Sequence, residues 1–456
     1  MASAMGIGWG KMRRFRIESC AWMLLVSMAL IMGAVPCSFA QEIAPTGEYK
    51  PGLPVGGTML YPSIFVGADY DTNFNQSASG TDRNSGTSLR VSPRVTGNYD
   101  GGIHKLTFYG VVDARFFNAN NIAASAGVLH TYEAMQDLIF DFYGNYTRQT
   151  DIFNSALQFN NNAIGPPATP NVSLPVILNP FGTTPNVNPI AYNQFTGAAT
   201  VTKTFDQAFV TLRGTAFNIV YDQSDNALFP FQTSHNGASF WLSGRVGYNL
   251  PSFYVFAQGD GIFQRFSNSV FDTNGYRVIG GVGTNDPSSL FKGEVYGGYQ
   301  FQDQGQQNVP ALGVPPALGI PQDAGNGVFG GRLSYFPTEY WTIIAQIDAS
   351  FVGMSTQLAP GVPQGIPTRT TTAILQTTYG LSRLWSVGVR GGYTRGDFIG
   401  VSGLNNHGWL AGASFNYEIW RNLMLTLDYQ YSTVESNAAF SDFTRNWVSA
   451  GLTYRY

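Results

Sequence analysis

From about residue 58 almost to the C-terminus, apolar and polar side chains alternate with a period of two. Successive side chains of an extended strand point to opposite faces, so this period marks strands with one apolar and one polar face. Leu89, Val91, Pro93, Val95, Gly97 and Tyr99 are apolar, small or aromatic, while Ser88, Arg90, Ser92, Arg94, Thr96 and Asn98 fill the positions between them. The same rhythm runs through Phe240 to Leu250, Trp341 to Phe351 and Leu423 to Ser432. It predicts strands over 58–70, 86–99, 103–117, 128–136, 139–149, 192–205, 207–221, 237–250 and 253–266. The second half adds 274–284, 290–301, 326–335, 340–353, 368–380, 384–395, 408–417, 423–434 and 445–456, eighteen in all.

Two architectures give strands of this kind. In a soluble sandwich the apolar faces meet in a core, and in a membrane barrel they meet lipid. Soluble strands average about 5 to 6 residues, whereas a tilted strand crossing a bilayer needs about 9 to 11, and most of these segments exceed that. The connections alternate in length: short turns such as Asp100-Gly101-Gly102 and Pro251-Ser252 interleave with long segments, of which 150–191 and 302–325 are the longest. Outer-membrane barrels are built with short turns on one side and long loops on the other. The expectation is therefore an all-β, antiparallel up-and-down transmembrane barrel of about eighteen strands, sixteen being the alternative. Its short turns would be periplasmic, its long loops extracellular.

Composition sharpens this. Of 456 residues 44% are hydrophobic and only 12% charged, half the roughly 25% of a soluble domain. Beyond the N-terminal segment no run approaches the ~18 apolar residues of a transmembrane helix. The formal net charge is −3 and no basic patch stands out, so nucleic acid is excluded as a partner. Residues 1–40 read as a secretory signal peptide, with Lys11, Arg13, Arg14 and Arg16 ahead of the apolar stretch Ala21 to Val35 and a small-x-small site at Ser38-Phe39-Ala40. Both cysteines, Cys20 and Cys37, lie inside it, so the exported chain would have no disulfide. Residues 41–57 would form a short periplasmic segment and 58–456 the barrel.

The last strand alternates Val448, Ala450, Leu452, Tyr454 and Tyr456 with polar or small residues and ends on an aromatic residue. It resembles the C-terminal signature by which barrel assembly machinery recognises its clients. Aromatic residues also gather where strands meet turns, at Tyr99, Tyr335, Phe336, Tyr340, Trp341, Trp385, Tyr417, Trp420 and Tyr454, as in interfacial girdles. The segment Gly57 to Asn73 contains Tyr61-Pro62-Ser63, Val66-Gly67 and Tyr70-Asp71-Thr72-Asn73, and Ser92-Pro93 follows. These elements are similar to the opening of the putative β-barrel porin 2 family. The resemblance implies a barrel in the bacterial outer membrane, often a porin, with some members linked to surface polysaccharide systems. Segment 150–191, rich in Pro and Asn, reads as an insertion.

If the apolar face meets lipid, the polar face lines the lumen. Its basic candidates are Arg90, Arg94, Lys105, Arg115, Arg213, Arg245, Arg277, Lys292, Arg332, Arg390 and Arg455, and its acidic candidates are Asp113, Asp260, Glu294, Asp348 and Asp428. Eleven against five predicts a weakly anion-favouring wall, because fixed charge biases which ions enter a narrow pore. Cross-strand ion pairing of the same residues is the competing use. No charged residue lies between Asp151 and Lys203, so a constriction made by 150–191 would be neutral. The four histidines, His104, His130, His235 and His407, form no metal-binding spacing, and no nucleophile elbow or phosphate loop is present. No cofactor, metal or catalytic residue is expected. The predicted function is a passive channel for small hydrophilic solutes or ions. The alternative is a barrel associated with polysaccharide export or envelope structure, its lumen plugged by 150–191. Expected partners are outer-membrane lipid and lipopolysaccharide, the assembly machinery and the solutes. A homo-oligomer is compatible with the chain, without a legible interface.

Overall fold

The computed structural model describes residues 52–74, 85–117, 121–149, 191–222, 236–267, 269, 272–284, 289–303, 323–352, 368–398, 405–437 and 442–456. The expected signal peptide 1–40 and connection 150–190 lie outside these residues, as do parts of the other long loops.

The strands are β1 (Leu53–Val55), β2 (Thr58–Asp71), β3 (Gly86–Asp100), β4 (His104–Phe117), β5 (Asn121–Met135) and β6 (Leu138–Gln149). They continue with β7 (Tyr192–Phe205), β8 (Ala208–Tyr221), β9 (Gly237–Asn249), β10 (Phe253–Phe266), β11 (Thr273–Thr284) and β12 (Phe291–Asp303). The chain ends with β13 (Asp323–Thr338), β14 (Trp341–Val352), β15 (Thr368–Gly380), β16 (Trp385–Phe398), β17 (Asn405–Trp420), β18 (Leu423–Ser436) and β19 (Phe443–Arg455). From β2 onward each strand pairs antiparallel with the next, and β19 returns to β2 from Trp447↔Asp71 to Arg455↔Ser63. Eighteen strands thus close a ring. In lipid no water can satisfy a free sheet edge, and closure leaves none.

β19 pairs with β2 only as far as Ser63, while β1 turns back through Gly56 (φ 62°) to pair Leu53↔Leu60 and Val55↔Thr58. The short strand therefore continues the seam past the end of β19. It falls in the stretch 41–57, expected to be a short periplasmic segment ahead of the barrel.

All eighteen expected strands are present. The main correction is β5, which starts at Asn121 rather than 128, so the connection expected over 118–127 shrinks to 118–120. Its first half, Asn-Ile-Ala-Ala-Ser-Ala-Gly, has few of the β-branched and aromatic residues that mark strands. The ladders with β4 (Arg115↔Asn121 to His104↔Tyr132) and β6 make it a strand regardless.

The outward face is an apolar surface, carrying Leu242, Val246, Val278, Val295 and Val389 among many exposed large side chains. Near the short turns it is aromatic. Trp385 packs on Tyr417 with ring centroids 4.6 Å apart, Phe291 stacks on Tyr335 at 4.3 Å, and Trp341 donates through Nε1 to Thr377 at 2.7 Å. Rings with an apolar body and a polar edge suit the headgroup boundary. Phe336 of the expected girdle instead shares the inward face with Lys292, whose ammonium lies 5.6 Å from its ring centroid.

Candidate functional site

The inward face is where the strands bring chemistry together. On it the charged side chains pair from strand to strand, some between neighbours and some over the strands between. Arg90 Nε donates to Asp113 Oδ1 at 2.6 Å, and Arg277 Nε to Asp260 Oδ2 at 2.6 Å. Arg390 grips Asp428 with two N–H groups at 2.6 and 3.2 Å, and Arg245 does the same to Glu294 at 2.8 and 3.2 Å. Arg115 lies 3.3 Å from Asp69. Lys105 bonds Glu133 at 2.6 Å at the exposed short-turn end. Asp348 accepts from Tyr296 at 2.6 Å and from Ser350 at 2.8 Å. A guanidinium and a carboxylate in this fork geometry form the stronger, charge-assisted kind of hydrogen bond.

Several bonds on this face pass over a strand, and for Tyr254, Tyr296, Tyr109 and Arg390 glycine explains how. Tyr254 on β10, Gly283 on β11 and Glu294 on β12 are successive partners in the ladder. A Cβ on Gly283 would lie 2.3 Å from the Tyr254 ring; without one, the ring lies across the middle strand and its hydroxyl donates to Glu294 at 2.7 Å. The arrangement recurs with Tyr296, Gly330 and Asp348 on β12 to β14, and with Tyr109, Gly127 and Asn145 on β4 to β6. Arg390 crosses Gly412 in the same way to reach Asp428 and Gln430. Aromatic rings laid over strand glycines are a known device for pinning register.

The expected residues divide into two sets. Arg90, Asp113, Arg115, Arg245, Asp260, Arg277, Glu294, Arg390 and Asp428 form this ion-paired wall. Lys292 packs over Phe336, and Arg455 bonds the Met424 sulfur at 3.1 Å. Arg94, Arg213 and Arg332 make no ion pair among the described residues. Missing from the expected set are Asp69, Asp71, Asp141 and Arg445 on the same face. Arg445 bonds Asp71 at 2.6 Å, and Asp141 accepts from Thr131 at 2.6 Å. Their alternation with Ala68, Tyr70, Phe140 and Phe142 was the signal that could have found them. With Glu133, the partner of Lys105, these acids outnumber the added base, and the basic excess of the wall shrinks.

Between the charged stretches, β4 to β7 carry a neutral network. Asn145 accepts from Tyr109 at 2.6 Å and from Ser125 at 3.1 Å and donates to Thr147 at 3.0 Å, with Gln194 bonding Thr196 at 3.3 Å beside it.

Toward the long connections the inward face turns apolar. Phe217, Ile219 and Tyr221 share a face with Arg213 on β8 and pack with Tyr192 and Phe266, all buried. Ile374, Leu410, Val434 and Phe443 make a second cluster. Strand periodicity assigns these apolar positions to lipid only if the outward phase is taken from the apolar residues alone; the charged residues on the same strands set it the other way.

The histidines stand apart from this wall. His104 and His130 contact each other at 3.2 Å on the outward face, His407 meets Tyr393 at 2.8 Å, and His235 is outside the described residues. Among the described residues no group of three or more His, Cys, Asp or Glu is placed to hold a metal ion.

The chain matches none of the curated proteins. Among solved structures, OccAB3 of Acinetobacter baumannii is similar at 9% identity and a TM-score of 0.43, over 88% of this chain and 100% of that one. The outer membrane protein OpdK of Pseudomonas aeruginosa shows 8% identity and a TM-score of 0.41, over 87% and 99%. The anion-selective porin of Comamonas acidovorans shows 11% identity and a TM-score of 0.34, over 88% and 99%. Residues 48–456, the whole barrel, match the family described as putative β-barrel porin 2. The chain is a porin-family barrel of the bacterial outer membrane and belongs to the putative β-barrel porin 2 family.

Proposed function

We propose that this porin is a passive diffusion channel for small hydrophilic solutes and ions, weakly favouring anions, and not an enzyme. The observation that carries the reading is the division of one closed wall into an apolar outward face and an inward face of cross-strand ion pairs and hydroxyls. Barrels of about 16 to 18 strands are wide enough to leave an aqueous channel. Paired charges give such a channel a polar, rigid lining with little net charge, and Arg94, Arg213, Lys292, Arg332 and Arg455, which make no ion pair among the described residues, give it its preference for anions. The solutes would enter as small hydrated molecules, with outer-membrane lipid and lipopolysaccharide around the apolar face.

Single-channel recording of the full chain in a planar bilayer under a salt gradient tests this. Steady conductance with a reversal potential on the anion side is expected; a folded but silent barrel overturns it. A second reading, a barrel of envelope structure or polysaccharide export with a closed lumen, is favoured by the buried inward clusters around Phe217 and Leu410. That reading predicts the silent outcome.

A further inference from the structure

Arg213 sits mid-strand on β8 between the neutral and the ionic stretches, opposite Thr200 on β7 and Ser243 on β9. Its residue is 8% exposed, yet its Nε and Nη2 have no hydrogen-bond acceptor among the described residues. Those two nitrogens are one edge of the guanidinium, the side-on fork that grips two oxygens of a carboxylate or phosphate at once. The acids around it are committed elsewhere: Asp260 accepts from Arg277 and Gln258, Glu294 from Arg245 and Tyr254, and Asp141 from Thr131. Arg245 on β9, the ladder partner of Thr211 two residues from Arg213, has the same sign. A buried cation with an empty fork, a like charge beside it and hydroxyls on both sides has the makings of half of an ion pair.

We propose that the other half is an oxyanion, and that Arg213 is a binding point on the inner wall for the carboxylate or phosphate of a small solute. Thr200 and Ser243, its ladder partners on the neighbouring strands, supply hydroxyls for its remaining oxygens. The assignment rests on the channel reading above and names the class of solute that the channel would favour.

The test adds inorganic phosphate or succinate, at constant ionic strength, to single-channel recordings in KCl of the full-length protein, Arg213→Gln and Arg213→Lys. Both probes are expected to interrupt the wild-type current at concentrations where additional chloride does not. Arg213→Gln should abolish the block and Arg213→Lys, a point charge without a fork, should weaken it on the order of tenfold. Thermal unfolding in detergent is the second arm and needs no conduction: phosphate should raise the midpoint of the wild type and leave that of Arg213→Gln unchanged. A silent barrel that phosphate still stabilises through Arg213 defeats the channel reading and keeps the site. Equal block, or equal stabilisation, of wild type and Arg213→Gln overturns the site. Should Arg213→Gln fail to fold, Arg213→Lys decides alone: undiminished block and stabilisation overturn the proposal, weakened ones uphold it.

Discussion

The inward face of β4 to β6 and that of β10 to β14 are built on one geometry and end in different chemistry. In both, a tyrosine lies across a glycine on the next strand and bonds an acceptor one strand further on. At β4 to β6 the acceptor is the amide of Asn145 and the surrounding groups are hydroxyls; at β10 to β14 the acceptors are Glu294 and Asp348, held among Arg245, Arg277 and Asp260. The cross-strand brace is thus separable from the charge it carries. The brace at Asn145 adds no charge of its own to the lumen, and the braces at Glu294 and Asp348 fix charge there.

If the ionic stretch is as tightly coupled as its geometry implies, Asp260→Ala should have the largest effect. It strands Arg277, whose side chain is 10% exposed, beside a partner site that is fully buried. Removing one member of a buried pair costs about 3–5 kcal/mol, readable as a shift in denaturant unfolding from vesicles. Replacing both members with apolar residues of similar volume should recover most of the loss. Next is a test of which face is which. Val278 is the outward neighbour of Arg277, so Val278→Arg places the same charge one residue away on the lipid side, 58% exposed at mid-strand. That should cost about 2–4 kcal/mol, and an unaffected bilayer-folded fraction would reverse the face assignment.

The shared geometry predicts matched effects from Gly127→Ala and Gly330→Ala. The added methyl would lie 2.5 Å from the Tyr109 ring in one case and 2.4 Å from the Tyr296 hydroxyl in the other. Each should destabilise by about 1–3 kcal/mol, with Tyr109→Phe or Tyr296→Phe leaving the glycine effect in place because the ring remains. A large loss at Gly330 and none at Gly127 would mean that the neutral brace carries no strain-bearing contact, and the comparison would fail. Smallest is Lys105→Ala: its bond to Glu133 sits in water at the short-turn end, where exposed pairs contribute almost nothing, and unfolding should be unchanged.

How far the sequence reads into this structure differs from feature to feature. β9 and β18 were legible almost to their ends, because the period-two alternation of Phe240 to Leu250 and Leu423 to Ser432 records directly which side chains meet lipid. The first half of β5 was not, because Ala and Gly carry no pattern and its strand is imposed by its neighbours. Arg277 and Asp260 could be placed on the inner face from their phase; that they pair with each other, and that Arg245 passes over to Glu294 instead, could not. Phase is a local property of the chain, set by the two-residue repeat of an extended backbone. Pairing depends on the register between strands and on Gly283, Gly330 and Gly412 clearing a path over the strand between.

The amino-acid sequence alone determined that this chain is a barrel of about eighteen strands, because a bilayer demands one apolar face on every strand that crosses it. Only the tertiary structure decided which charges cancel and that Arg213 is left with an empty fork, because cancellation happens between side chains that the closed ring, and not the chain order, brings within reach.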